Sequence, residues 1–312
     1  MKAETFDRRA VPKGAAFSTW TAPDGWTYRR MDWPQGAGAG TRGSLLFAGG
    51  RGDFIEKYLE AHHHWHRRGW NVTTFDWRGQ GGSRGSIVGG HFESMDPLVD
   101  DFSALVEAWR GATKGPHAVV AHSMGGHVLL RTLAERRPRI AAAVAVAPMV
   151  AINTSPLPEW SAASLATAMT LAGCSRLPAW RQPEAPAPPG SSRQNFLTAC
   201  PDRYADELWW WKREPGFNLG VPTWGWLAAA YRSSAALTPE RLRGIRVPLL
   251  FVATERDRLV SAAAIRRAAS TVPGAELLMF EDAGHEILRE ADEVRLDALA
   301  RIDSFLDDHA RT

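Results

Sequence analysis

Val119-Val120-Ala121-His122-Ser123-Met124-Gly125-Gly126-His127 is the stretch whose reading decides the fold. A short apolar, β-branched run, Ala118 to Ala121, enters a small-x-Ser-x-Gly turn, and Val128, Leu129, Leu130 and Leu133 then recur at helical spacing. Strand, sharp turn and helix are the setting of a nucleophile elbow, where a serine Oγ stands proud of the sheet edge on a strained backbone. Ala121 and Gly125, two positions either side of Ser123, are small enough for strand and helix to approach without a side-chain clash. Ala121 stands where glycine is usual. The alternative is a serine that merely caps a helix, and the position at a strand-to-helix junction speaks against it.

Outward from the elbow, short apolar segments alternate with helical ones. Residues 16–33 alternate in polarity around an Ala22-Pro23-Asp24-Gly25 turn, a hairpin signal. Ser44-Leu45-Leu46-Phe47 reads as a buried strand leading into Gly49-Gly50-Arg51-Gly52. A helical pattern runs from Phe54 to Trp65, and Val72 to Phe75 is the next strand. A glycine-rich loop, Asp76 to Ser83, and a helix, Pro97 to Trp109, precede the elbow. Ile140 to Val146 is apolar throughout, as a strand covered on both faces should be. The rhythm stops at Pro148 and resumes with strands at Val247–Ala253 and Ala275–Phe280, a helix at Ser261–Ala269 and a closing helix at Val294–His309. The chain is therefore expected to be α/β, with a mostly parallel sheet and helices on both faces. Residues 1–151 and 241–312 would form the two parts of one core, with 152–240 inserted between two strands. That insertion holds a Pro/Ala tract (Pro183 to Pro189) and seven of the fourteen tryptophans.

Bulk properties narrow the function classes. The chain has 312 residues, 45% hydrophobic and 23% charged, and a net charge of +3, ordinary for a soluble domain. Its arginine pairs (Arg8-Arg9, Arg29-Arg30, Arg67-Arg68, Arg136-Arg137, Arg266-Arg267) are dispersed among acids, so no nucleic-acid groove is expected. A basic face against anionic lipid headgroups stays open. Cys174 and Cys200 make no C-x-x-C motif or disulfide framework, which fits a reducing cytosol. The N-terminus has no apolar signal region, and the longest apolar run, Ile140 to Ile152, is too short to span a membrane. The expected location is cytoplasmic, with peripheral contact at the inner membrane left open.

A serine hydroxyl needs a base to take its proton and an acid to orient that base. In an open parallel sheet these groups come from loops at the carboxyl ends of strands. The strand ending at Ala253 runs into Glu255, Asp257 and Leu259-Val260, and the strand ending at Phe280 runs into Asp282 and Gly284-His285-Glu286. Ser123, Asp257 and His285 thus occur in nucleophile-acid-base order. Asp257 is preferred over Glu255 and Asp282 because Leu259-Val260 can pack its loop beside His285. Met124 N–H and Arg51 N–H, with Gly50 as runner-up, are the expected oxyanion donors. His122 is expected beneath the elbow, at the edge of the substrate site. Gly49-Gly50-Arg51-Gly52 lacks the G-K-[ST] ending of a phosphate loop. His62 and His66, at i, i+4, could chelate a metal, but no third ligand accompanies them; a polar helix face is the expectation, and no metal site.

These motifs resemble the α/β-hydrolase superfamily, and within it the bacterial lysophospholipase and monoacylglycerol lipase group. The matching segments include Gly50 to Tyr58, Asp76 to Ser83, Ala121 to Gly126, Ala147-Pro148-Met149, Val221 to Trp224 and Gly284 to Leu288. The resemblance implies carboxylic ester hydrolysis through an acyl-enzyme, without metal or organic cofactor, and makes 152–240 a helical cap. The cap suits an acyl chain. Trp209-Trp210-Trp211 on a helix would span about 200° of its circumference, so not all three can face one core. Trp209, Trp210 and Trp224, with Gly50 and His122, are the expected substrate contacts. Rival readings are a short-chain esterase or a proline-type aminopeptidase on the same fold, and a non-catalytic ligand-binding receptor. An aspartate-nucleophile dehalogenase or epoxide hydrolase is disfavoured by serine at position 123.

Overall fold

The computed structural model describes residues 6–36, 40–181 and 186–311. The start of the Pro/Ala tract, residues 183–185, lies outside them. The chain builds β1 (Ala16–Thr21), β2 (Thr27–Trp33), β3 (Gly43–Ala48), α1 (Leu59–Arg67), β4 (Trp70–Phe75), α2 (Asp96–Ala112), β5 (His117–His122), α3 (Met124–Glu135) and β6 (Ala142–Val146). It then leaves the sheet through α4 (Glu159–Met169), α5 (Ser192–Leu197), α6 (Pro201–Arg213), α7 (Trp224–Ala235) and α8 (Pro239–Arg243). It returns with β7 (Leu249–Thr254), α9 (Ala262–Thr271), β8 (Glu276–Phe280) and α10 (Asp292–His309).

The strands form one eight-stranded sheet in the order β1-β2-β4-β3-β5-β6-β7-β8. Only β2 runs against the other described strands, pairing antiparallel with β1 and β4. The period-two alternation of a strand divides the core. Leu45, Phe47, Ala118, Val120, Val144 and Val252 face α1 and α10. Leu46, Ala48, Val119, Ala121, Ala145 and Phe251 face α2, α3 and α9. Because β3, β5, β7 and β8 are parallel, the loops after them emerge along one edge of the sheet. Those loops begin at Gly49, Ser123, Glu255 and Glu281.

One expectation fails on α1. His62 does not belong to a polar face: it is fully buried, edge-on to the Phe47 ring 5.1 Å away, and burial pushes its pKa down to about 3. The neighbouring histidines diverge. His66 stacks on Trp33, His63 on Phe6, and His64 Nε2 lies 2.7 Å from Asp303 Oδ2.

Candidate active site

Ser123 sits between β5 and α3 at φ 53°, ψ −116°, a conformation L-residues rarely adopt and one that the surroundings must impose. The fit is close on every side. A Cβ on Gly125 would lie 2.3 Å from the Gly49 carbonyl oxygen, and one on Gly50 would lie 2.8 Å from Ser123 Cβ. From below, Ser123 N–H donates to the Val146 carbonyl and Met149 N–H donates to the Ser123 carbonyl.

His285 Nε2 lies 2.9 Å from Ser123 Oγ, and His285 Nδ1 lies 2.7 Å from Asp257 Oδ2. The other Asp257 oxygen accepts the N–H groups of Leu259 (2.8 Å) and Val260 (2.9 Å), so Leu259-Val260 do close the acid loop. Glu255 and Asp282 point elsewhere, pairing with Arg266 and Arg256. Burial disfavours the imidazolium, but the Asp257 carboxylate outweighs it and raises the His285 pKa above its ordinary value. Burial likewise works against the Asp257 carboxylate, and His285 with the two backbone donors holds its pKa below the usual value.

Met124 opens α3, so its N–H has no partner within the helix. Of the two predicted donors after β3, Gly50 is spent: its N–H donates to Asp53 Oδ2 at 2.6 Å. The loop is further pinned by Gly52 N–H to Gln80 Oε1 (2.6 Å) and by Trp77 Nε1–H to the Gly49 carbonyl (2.6 Å). His122 is buried, with Nδ1 at 2.9 Å from Asp53 Oδ2 and 3.0 Å from Tyr58 Oη, and Nε2 at 3.3 Å from the His285 carbonyl. Both its ring nitrogens are committed to protein, which makes it a brace between the Gly50 loop and the His285 loop rather than a polar contact for substrate.

A cavity of about 690 Å³ opens over Ser123 and His285, walled by residues of β-strand loops and of the segment between β6 and β7. Met149, Ile152, Phe196, Leu219, Trp226 and Leu259 supply much of its apolar wall. Trp209, Trp210 and Trp224 do not line it. On α6, Trp211 shares the cavity face with Glu207 at i, i+4. Trp210, about 100° away, packs with Phe54 and Phe217, and Trp209 lies between Arg9 and Arg213. On α7, Trp226 faces the cavity and Trp224, two residues back, packs toward α4. The composition signalled tryptophan in this region; the helix phase that selects among them is set by long-range packing.

A buried ion cluster, not foreseen from the sequence, fills the cavity's polar flank. Lys57 Nζ meets Asp53 Oδ1 at 2.8 Å, Glu207 Oε1 at 3.1 Å and Glu286 Oε1 at 2.5 Å. Arg193 pairs with both Glu207 oxygens, and Arg289 pairs with Glu286. Burial opposes the Glu207 charge, yet Lys57, Arg193 and Arg289 hold its pKa well below the usual carboxylate range. The spacings of Asp53-Lys57 (i, i+4) and Glu286-Arg289 (i, i+3) are the local traces of this cluster.

A family model described as serine aminopeptidase, S33, of the Hydrolase_4 group matches residues 39–292. The chain belongs to this hydrolase family. It is 30% identical over 290 residues to lysophospholipase L2 of Escherichia coli strain K12, covering 85% of this chain and 80% of that one. It is 25% identical over 255 residues to a monoacylglycerol lipase of Mycolicibacterium smegmatis, covering 81% and 84%. Among solved structures it is similar to a soluble variant of monoglyceride lipase from Saccharomyces cerevisiae in complex with a substrate analog. That likeness has a TM-score of 0.75 at 17% identity and covers 97% of this chain and 99% of that one. The fold is thus the α/β-hydrolase fold that the elbow predicts, and the chain is a serine hydrolase.

Proposed function

We propose that this hydrolase cleaves the ester of monoacyl lipids through an acyl-enzyme. Ser123 Oγ attacks the ester carbonyl while His285 Nε2 takes its proton. Asp257 fixes the imidazole tautomer and stabilises the cation that forms. Met124 N–H and Arg51 N–H hold the oxyanion, each donor contributing on the order of 3 kcal/mol. His285 returns the proton to the departing alcohol, and water, activated in the same way, releases the fatty acid. Residues 152–240 act as a cap over this site. The observation that carries the reading is the Ser123-His285-Asp257 alignment beneath an apolar cavity large enough for an acyl chain. The names of the lysophospholipase and monoacylglycerol lipase relatives support the same class.

A peptidase reading is disfavoured by charge. Recognition of a substrate amine requires a free carboxylate, and the acids lining this cavity, Asp53, Glu207 and Glu286, are each neutralised by Lys57, Arg193 or Arg289. Peripheral membrane contact is supported by surface composition. Leu157, Trp160, Leu165, Leu171 and Leu177 are all exposed between residues 157 and 177, and exposed apolar side chains gathered in this way suit an interaction surface. No helix among the described residues is long and apolar enough to cross a membrane.

Hydrolysis of p-nitrophenyl esters from acetate to palmitate, wild type beside Ser123→Ala, tests the proposal. The expected result is a wild-type preference for medium or long chains and a silent variant. A Ser123-dependent preference for acetate would make it a small-ester hydrolase; equal activity of the two proteins would remove Ser123 as nucleophile.

A further inference from the structure

Three cations, Lys57, Arg193 and Arg51, line the cavity, and two are neutralised. Lys57 has three carboxylates around it. Arg51 has none among the described residues. Its two terminal nitrogens donate to neutral backbone carbonyls, to Gly220 at 3.0 Å and to Gly89 at 2.9 Å. Its Nε–H is buried without an acceptor. The Trp226 ring centroid lies 5.1 Å from the guanidinium carbon, and the Trp226 indole N–H is also buried without an acceptor. Both residues line the cavity.

Such an arrangement is costly. An arginine offers five donors and no acceptor, and a buried charge without a counter-ion is among the more expensive features a fold can carry. Burial here is severe enough to push the Arg51 pKa down to about 9. A cation at the cavity wall with no carboxylate partner among the described residues is suited to an anionic acceptor in the cavity. Position supports this. Arg51 directly follows Gly50, whose Cα abuts Ser123. A group only a few bonds beyond the scissile ester would therefore come within reach of its side chain. In a monoacyl glycerolipid the group so placed is the substituent on the far glycerol carbon: a hydroxyl in a monoacylglycerol, a phosphodiester in a lysophospholipid. Planar, bidentate donation suits the phosphodiester.

We propose that the Arg51 guanidinium receives the anionic phosphodiester of a lysophospholipid and makes the site select charged over neutral monoacyl lipids. This rests on the monoacyl-lipid reading above. Arg51 then has two separate duties: its backbone N–H faces the oxyanion and its side chain reads the headgroup.

The test compares palmitoyl-lysophosphatidylethanolamine with monopalmitin, in the same mixed micelles, for wild type, Arg51→Gln and Arg51→Lys. Wild type should favour the lysophospholipid. Arg51→Gln should lower the ratio of the two kcat/KM values by roughly tenfold to a hundredfold, the loss expected for a charge-assisted hydrogen bond. Arg51→Lys should restore part of that ratio. A variant that lowers both substrates by the same factor would show a brace for the Gly89 and Gly220 loops and overturn the proposal. A second measurement needs no variant: the hexadecyl ether analogue of the lysophospholipid should inhibit wild type at least tenfold more tightly than hexadecylglycerol, and equal inhibition overturns the proposal. Wild type that cleaves neither lipid, yet cleaves p-nitrophenyl esters, would instead sink the lipid-ester reading itself.

Discussion

The segment between β6 and β7 contains two unlike regions. One is fastened to each of the loops that carry the site. At its start, Asn153 Nδ2–H donates to the Asp257 carbonyl at 2.8 Å, and Ser261 N–H donates to the Ala151 carbonyl. Further on, His285 N–H donates to the Phe196 carbonyl at 3.0 Å and Glu286 N–H to the Leu197 carbonyl at 2.8 Å. On α6, Arg203 reaches Glu60 at 2.6 Å and the Glu290 carbonyl at 2.7 Å, and Glu207 enters the Lys57 cluster. The other region, residues 157–181, makes few such ties. α4 buries only Ala166 and exposes Trp160 and Leu165, and among the described residues the long-range backbone bonds that leave 157–181 join Ser175, Leu177 and Ala179 to the Pro222–Gly225 stretch. The contrast separates two tasks that a single inserted segment performs. The fastened region sets the geometry of the reacting groups; the apolar one presents a surface.

The heaviest blow to the fastened side is at the acid. Asp257→Asn should lower kcat on the order of 10⁴-fold, because the imidazole loses its tautomer control and its counter-charge. The sign of the accompanying pH effect follows from the charge. His285 works as a base only when neutral, and Asp257 raises its pKa. The acid limb of wild-type kcat/KM should therefore lie above the ordinary histidine value of about 6.5, with activity growing as pH rises through it. In the residual activity of Asp257→Asn that limb should move to lower pH. An unmoved limb would assign it to another group.

Gly284→Ala should come next. A Cβ there would lie 2.5 Å from the Leu197 carbonyl oxygen and 2.6 Å from its carbon, both backbone atoms that cannot swing away. Either the Phe196-Leu197 stretch or the His285 loop must shift, and misplacement by about 1 Å costs on the order of a hundredfold in rate. We expect that loss in kcat/KM toward a soluble ester. Wild-type kinetics in this variant would mean that the α5 tie does not position His285.

Glu207→Gln acts on stability more than on rate. Removing one carboxylate from a buried cluster leaves Lys57 with two acids and strips Arg193 of its bidentate partner. A cost of about 2–3 kcal/mol is expected, lowering Tm by about 3–5 °C for a chain of this size, as calorimetry would record. A shift below about 2 °C would leave the cluster without a fastening role.

The same contrast governs what could be read from the sequence. Ser123, Asp257 and His285 each follow an apolar strand directly, so local pattern alone located them, and the structure brings them within hydrogen-bonding distance of one another. That the Gly50 N–H is already occupied rests on one contact the sequence does not display, its bond to Asp53. The sequence does not display which of Trp209-Trp210-Trp211 faces the cavity, because such a run is apolar all round and its phase is decided by Lys57 and Phe217, far away in sequence. His62 was misread for a related reason: three polar neighbours hid that one position of the helix faces Phe47.

The apolar region should show the smallest effect on chemistry and the clearest effect on location. Trp160 and Leu171 are 72% and 83% exposed and touch none of the reacting groups. Changing both to glutamate removes no buried contact, so activity toward a soluble short-chain ester should stay within about twofold and Tm within a degree or two, as for other surface substitutions. Burying such side chains in a lipid interface is worth roughly 1.5–3 kcal/mol each, and a carboxylate forfeits that gain. Sedimentation with phosphatidylglycerol-containing vesicles should therefore fall by tenfold or more, and hydrolysis of lysophospholipid embedded in them should fall with it. If vesicle binding survives while the soluble activity drops, residues 157–181 shape the site rather than its docking, and the division of labour between the two regions is wrong.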